Sequence, residues 1–154
     1  MAVKPLTAAQ QEAVEALVAG RRLEHVVVDL QKASVFLTKA MHRLAEVDRL
    51  SWPEGRYNFA YDAAHDVGEA LLAAYGLRTT NGPGQHEAIG RFLRAVMTEP
   101  PGLEGAKRFD RMRRARNQQR YDVHVVGEAD ADLAVRAASS LYGGALGQGI
   151  AVSA

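Results

Sequence analysis

The residues best suited to chemistry lie in one run, Arg113-Arg114-Ala115-Arg116-Asn117-Gln118-Gln119-Arg120-Tyr121-Asp122. On a helix Arg113, Asn117 and Tyr121 recur at every fourth position, as do Arg116 and Arg120, so they share one polar stripe about a hundred degrees wide. Phe109, Met112 and Ala115 fall on the other side. Guanidinium groups bind phosphate through forked, charge-assisted hydrogen bonds. Tyr121 or Trp52 could then stack on an unpaired base. Metal-free RNA cleavage also needs a base for the 2′-hydroxyl proton and an acid for the leaving oxygen. Arginine stays charged up to a pH of about 12, so it can stabilise a phosphorane but not exchange protons with it. Tyr121 is the candidate proton donor and Asp122 the candidate base or orienting group. His124 is the only nearby imidazole, beyond the expected helix end.

Charge distribution gives this helix a second reading. Between Gly105 and Arg120 seven basic residues stand against Asp110 alone, a local +6 in a chain whose total is +1, which leaves −5 for the remainder. A patch of one sign attracts phosphate or an acidic partner even when the total is near zero. Asp62, Asp66 and Glu69, spaced by four and three, form a matching acidic stripe on another segment. The arginines could therefore meet a ligand, or meet carboxylates of the chain or of a second copy.

The other polar candidates read more simply. His86 follows a turn and opens a helix; it is either a cleft residue near the arginine run or, as we expect, a helix-start packing residue. His25, His42 and His65 read as ordinary surface or core histidines. Asp62, His65, Asp66 and Glu69 make the one compact helical cluster of metal-ligand types, yet no Glu-x-x-His pair on another segment completes it. No metal and no cofactor is expected. Trp52, before Pro53, reads as a loop plug over the core. Gly82 and Gly84 lack the Lys-Ser/Thr of a phosphate loop and read as turn residues.

The elements that must position these residues are helical. With 154 residues and 47% hydrophobic content, one domain spanning 1–154 has enough apolar material for a core. The lack of cysteine excludes disulfides, a thiol nucleophile and thiolate metal sites. It suits a reducing compartment. Met1 to Pro5 carries no signal-peptide pattern, and no long window is both apolar and uncharged, so a cytoplasmic protein with no membrane span is expected.

Thr7-Ala8-Ala9-Gln10 is a capping box opening a short helix. From Leu23 to Val47 apolar residues recur at three- and four-residue steps, which predicts one long helix that overrides the strand preference of Val26-Val27-Val28. An alanine-rich helix from Tyr57 to Tyr75 ends at Gly76, a C′ glycine. Further helices are expected over His86–Met97, from about Leu103 through the arginine run, and over Ala129–Leu141. Val123 to Val126 reads as an extended connector, and the Gly-rich tail 143–154 as flexible. The fold class is all-α, a bundle of four to five helices.

Arg116-Asn117-Gln118-Gln119-Arg120-Tyr121 resembles the motif of the HEPN superfamily (higher eukaryotes and prokaryotes nucleotide-binding domains): Arg, a polar residue, and His about five to seven positions on. The wider run is similar to a branch carrying Arg-Asn-x-x-x-Tyr-Asp, and the likeness extends over roughly Gly20 to Leu141. It implies a small helical bundle, commonly a homodimer that joins two motifs in one cleft. It also implies RNA or nucleotide binding, with metal-independent endoribonuclease activity in toxin–antitoxin, phage-defence or RNA-processing systems. On this resemblance Arg116, Asn117, Tyr121 and Asp122 are the catalytic candidates, and Arg113, Arg120 and His124 the substrate-binding ones. Tyr121 stands where the family has His, so the sequence leaves open an enzyme or a non-catalytic binder. The alternative is a protein-interaction or regulatory helical dimer, paired with a nucleotidyltransferase-like or antitoxin partner.

Overall fold

The computed structural model describes residues 3–121 and 125–153, without the side chains of Arg120 and Tyr121. The order of elements is α1 (Ala8–Ala19), β1 (Leu23–His25), α2 (Leu30–Val47), α3 (Pro53–Ala74), β2 (Leu77–Thr79), α4 (Gln85–Val96), α5 (Gly102–Tyr121) and α6 (Glu128–Gly147). The chain is thus mostly helical, with six helices and one two-stranded sheet among the described residues. No described helix is long and apolar enough to cross a membrane.

Helix α3 is the centre of the packing, and α2, α4, α5 and α6 all lie against it. Its alanines explain why: Ala60, Ala63, Ala64, Ala70, Ala73 and Ala74 are buried on several sides of the helix, where small side chains let neighbouring backbones approach. Tyr61, Leu71 and Leu72 fill the larger gaps, and Phe109 of α5 stacks on Tyr61 with ring centroids 5.4 Å apart. The Thr7–Gln10 capping box forms as expected.

The long helix expected from Leu23 does not begin there. Leu23–His25 is a strand, Val26 to Val28 belong to neither helix nor strand, and Asp29 caps α2 by accepting from the Lys32 amide at 2.9 Å. The strand has a partner more than fifty residues away: Leu23 pairs with Thr79 and His25 with Leu77 in an antiparallel register. That pairing satisfies the backbone groups of Leu23–His25, and the Val26 amide donates to the Gly76 carbonyl oxygen, so the helical period is not taken up until Leu30. Gly76, at φ 69°, makes the tight approach workable, because a Cβ there would stand 2.8 Å from the Val26 carbonyl oxygen.

Two further expectations are corrected. The tail from 143 is not loose: α6 runs through Gly147, Gly144 and Ile150 are buried, and the Ser153 amide donates to Thr38 Oγ1 at 3.0 Å. Gly144 serves close packing, since a Cβ on it would collide with Met97 and Gly102. Trp52 does not plug the core. It is 63% exposed, at the N-cap of α3.

Candidate functional site

Helix α5 carries the arginine run, and its first contact with the rest of the fold decides where those side chains go. Phe109 is fully buried against Tyr61, and Met112 is buried, with its carbonyl oxygen accepting from the Tyr57 hydroxyl. That anchoring turns Arg113, Arg116 and Asn117 toward a pocket of about 320 Å³ between α2, α3, α5 and the start of α4. Its other walls are Arg43, Tyr61, Asp62, His65, Asp66 and His86. Three of the seven expected site residues are thus brought together. Asp122 and His124 lie outside the described residues, and of Arg120 and Tyr121 only the helical backbone is described.

The run does not present one sign to solvent. Arg108, Arg111 and Arg114 point to the opposite side of α5, where they line a second groove of about 500 Å³ with Tyr57, Met112, Val126 and Leu133. On the pocket side the arginines have carboxylate partners. Arg113 donates from Nε and Nη2 to Asp110 Oδ1 at 3.0 and 2.8 Å. Arg116 donates from Nη1 to Asp62 Oδ1. Arg43 Nε donates to Asp66 Oδ2 at 2.9 Å, and its Nη1 lies 3.7 Å from Asp62. An unmet positive stripe is therefore not what α5 offers; the internal pairing read from Asp62 and Asp66 is present. A guanidinium has five N–H donors, however, and Arg116 commits one of them to Asp62. With a third of its side chain exposed it keeps an open edge on the pocket. Its Cζ also sits 5.0 Å from the Tyr61 ring centroid, a cation–π contact that fixes the plane of the fork.

The histidines are where local reading fell short. His65 of α3 and His86 of α4, read as ordinary residues, meet in this pocket with ring centroids 4.4 Å apart and planes tilted 39°. The Tyr61 oxygen is 2.7 Å from His86 Nδ1. Burial drives the Tyr61 hydroxyl far above its ordinary pKa, so it keeps its proton and can donate to Nδ1 of His86 or accept from it, as the imidazole tautomer decides. Burial also pushes His65 down to about 4, helped by His86, Arg116 and Arg43 against the pull of Asp62. His86 is lowered by burial, then by Arg116 and Arg113. Burial raises Asp66 in spite of Arg43. The pocket therefore holds two neutral imidazoles among three permanent cations and two carboxylates.

One signal in the sequence pointed here. Asp62, His65, Asp66 and Glu69 are one compact group of ligand types on a single helix, but tertiary contacts assign Asp62 and Asp66 to arginines. Among the described residues no three metal-ligand side chains are placed to hold an ion. The cluster is an ion-pair network around a histidine pair. Compared with known proteins, the chain matches no family model, no curated sequence and no solved structure.

Proposed function

We propose that this chain is a HEPN-like, cytoplasmic RNA- or nucleotide-binding domain that receives phosphate in the pocket under α5, acting as a homodimer. The observation that carries the reading is the shared pocket of Arg113, Arg116 and Asn117 with His65 and His86. Guanidinium forks and an amide suit phosphate oxygens, and imidazoles add hydrogen bonds whose number depends on protonation. Tyr121 replaces the imidazole of the family motif; a ribonuclease built on this site would draw its imidazoles from α3 and α4 instead. The test is binding of single-stranded RNA at several salt concentrations by the intact protein. Affinity should fall as salt rises, and Arg116→Ala should weaken it at least tenfold while leaving the helical circular dichroism unchanged. Binding that ignores both salt and Arg116 would overturn the reading.

The second reading, a protein-interaction module, draws on the other side of α5. There Arg108, Arg111 and Arg114 surround Met112, Val126 and a partly exposed Leu133, a basic rim with an apolar floor. Co-purification of a stable heteromer with no RNA affinity in either component would favour it.

A further inference from the structure

Among the described residues, the two imidazoles are the groups of the pocket under α5 that can change its charge without being held in an ion pair, since the carboxylates of Asp62 and Asp66 are bound to arginines. Arg43, Arg113 and Arg116 are charged at every accessible pH, Asp62 and Asp66 answer two of them, and Asp110 holds Arg113 from one helical turn away. The buried Tyr61 hydroxyl stays protonated. An anion entering this near-neutral set of groups brings negative charge, which favours the protonated form of an imidazole beside it.

We propose that the pocket takes a terminal phosphate monoester, and that the His65–His86 pair gains one proton as it docks. The proposal rests on the phosphate-binding reading above and narrows it. Rings with centroids 4.4 Å apart repel strongly if both are charged, so the pair accepts one proton and not two. A bound dianion lowers the cost of that proton, and Tyr61 accommodates it: His86 Nδ1–H then donates to the phenol oxygen over the same 2.7 Å contact. The charge balance separates ligand classes. A monoester carries roughly −1.5 to −2 near pH 7, whereas an internal phosphodiester carries −1 and leaves less to neutralise. The volume agrees, because about 320 Å³ lies at the lower end of the roughly 300–1,000 Å³ typical of ligand pockets. It suits a chain end more than a strand passing through.

The experiment is titration calorimetry of the full chain with three probes: a 5′-phosphorylated short oligoribonucleotide, the same oligomer with a 5′-hydroxyl, and inorganic phosphate. It is run between pH 6.5 and 8, where the free monoester is mostly a dianion and the free imidazoles are neutral. Buffers of different ionisation enthalpy report the protons taken up. The phosphorylated oligomer should bind at least tenfold more tightly than the hydroxyl one, with close to one proton taken up per ligand. Its affinity should fall about tenfold per pH unit. His86→Asn should remove both the proton uptake and the pH slope; the buffer dependence of the unmodified protein stands as evidence even if that variant misfolds. Equal binding of the two oligomers, with no buffer dependence, overturns the proposal; where that binding also needs Arg116, the RNA reading survives. Inorganic phosphate that binds with proton uptake, beside no binding of either oligomer, overturns both the monoester proposal and the RNA reading. No binding of any probe overturns both.

Discussion

Arg116 of α5 donates to Asp62 of α3, joining two helices 54 residues apart in sequence at the wall of the pocket. The pair is both a tether and a restraint: the carboxylate orients the guanidinium and competes with any incoming anion. Both side chains are about one-third exposed, so solvent screens the pair. Asp62→Asn should therefore tighten anion binding modestly, by about two- to fivefold, while changing stability by less than about 1 kcal/mol. A fluorescence binding titration of labelled RNA against both proteins checks it, and weaker binding by the variant would show that Asp62 positions Arg116 rather than competing with ligand.

Tyr61 links the core to the pocket. Its ring is buried between Phe109 and Arg116, and its oxygen meets His86. Tyr61→Phe keeps the packing and removes one hydrogen bond, so unfolding in urea should show a loss of about 1 kcal/mol. The imidazole signals of His86 should shift in their pH titration. Unchanged His86 titration would mean that the contact does not form in solution.

Stability should depend on pH through His65. Its folded value of about 4 lies below the unfolded value of about 6.5, so the unfolded chain binds the proton first. The sign follows: the contribution is whole above pH 6.5 and is lost as pH falls from 6.5 toward 4, by up to about 3 kcal/mol. Asp66 and Glu69, raised by burial, act in the opposite sense. The informative measurement is the difference between the protein and His65→Gln across that window. A variant that loses as much stability as the parent between pH 6.5 and 4 would contradict the assignment.

Helices α5 and α6 cross at Gly105. A Cβ there would run into the Ala137 carbonyl oxygen and the Leu141 side chain, and a backbone atom cannot step aside as a side chain can. Gly105→Ala should lower stability by about 1–3 kcal/mol and reduce Tm by several degrees. Because α5 carries Arg113 and Arg116, phosphate affinity should drop with it even at temperatures where the variant is folded.

What the chain determined locally was its helical character and the makeup of α5. The capping box at Thr7, the αL glycine at 76 and the shared face of Arg113, Arg116 and Asn117 follow from short-range geometry, and each is present in the fold. Tertiary structure decided everything that depends on a distant partner. Strand β1 exists because β2 lies beside it, against a helical period that points the other way. Gly144 became a packing position because Met97 and Gly102 lie against it. His65 and His86 belong to different helices with no shared motif, so only the packing of α4 against α3 made them a pair. The arginines met carboxylates for the same reason: Coulomb attraction acts over a few ångströms in space, and Asp62 reaches Arg116 only once α3 and α5 are side by side.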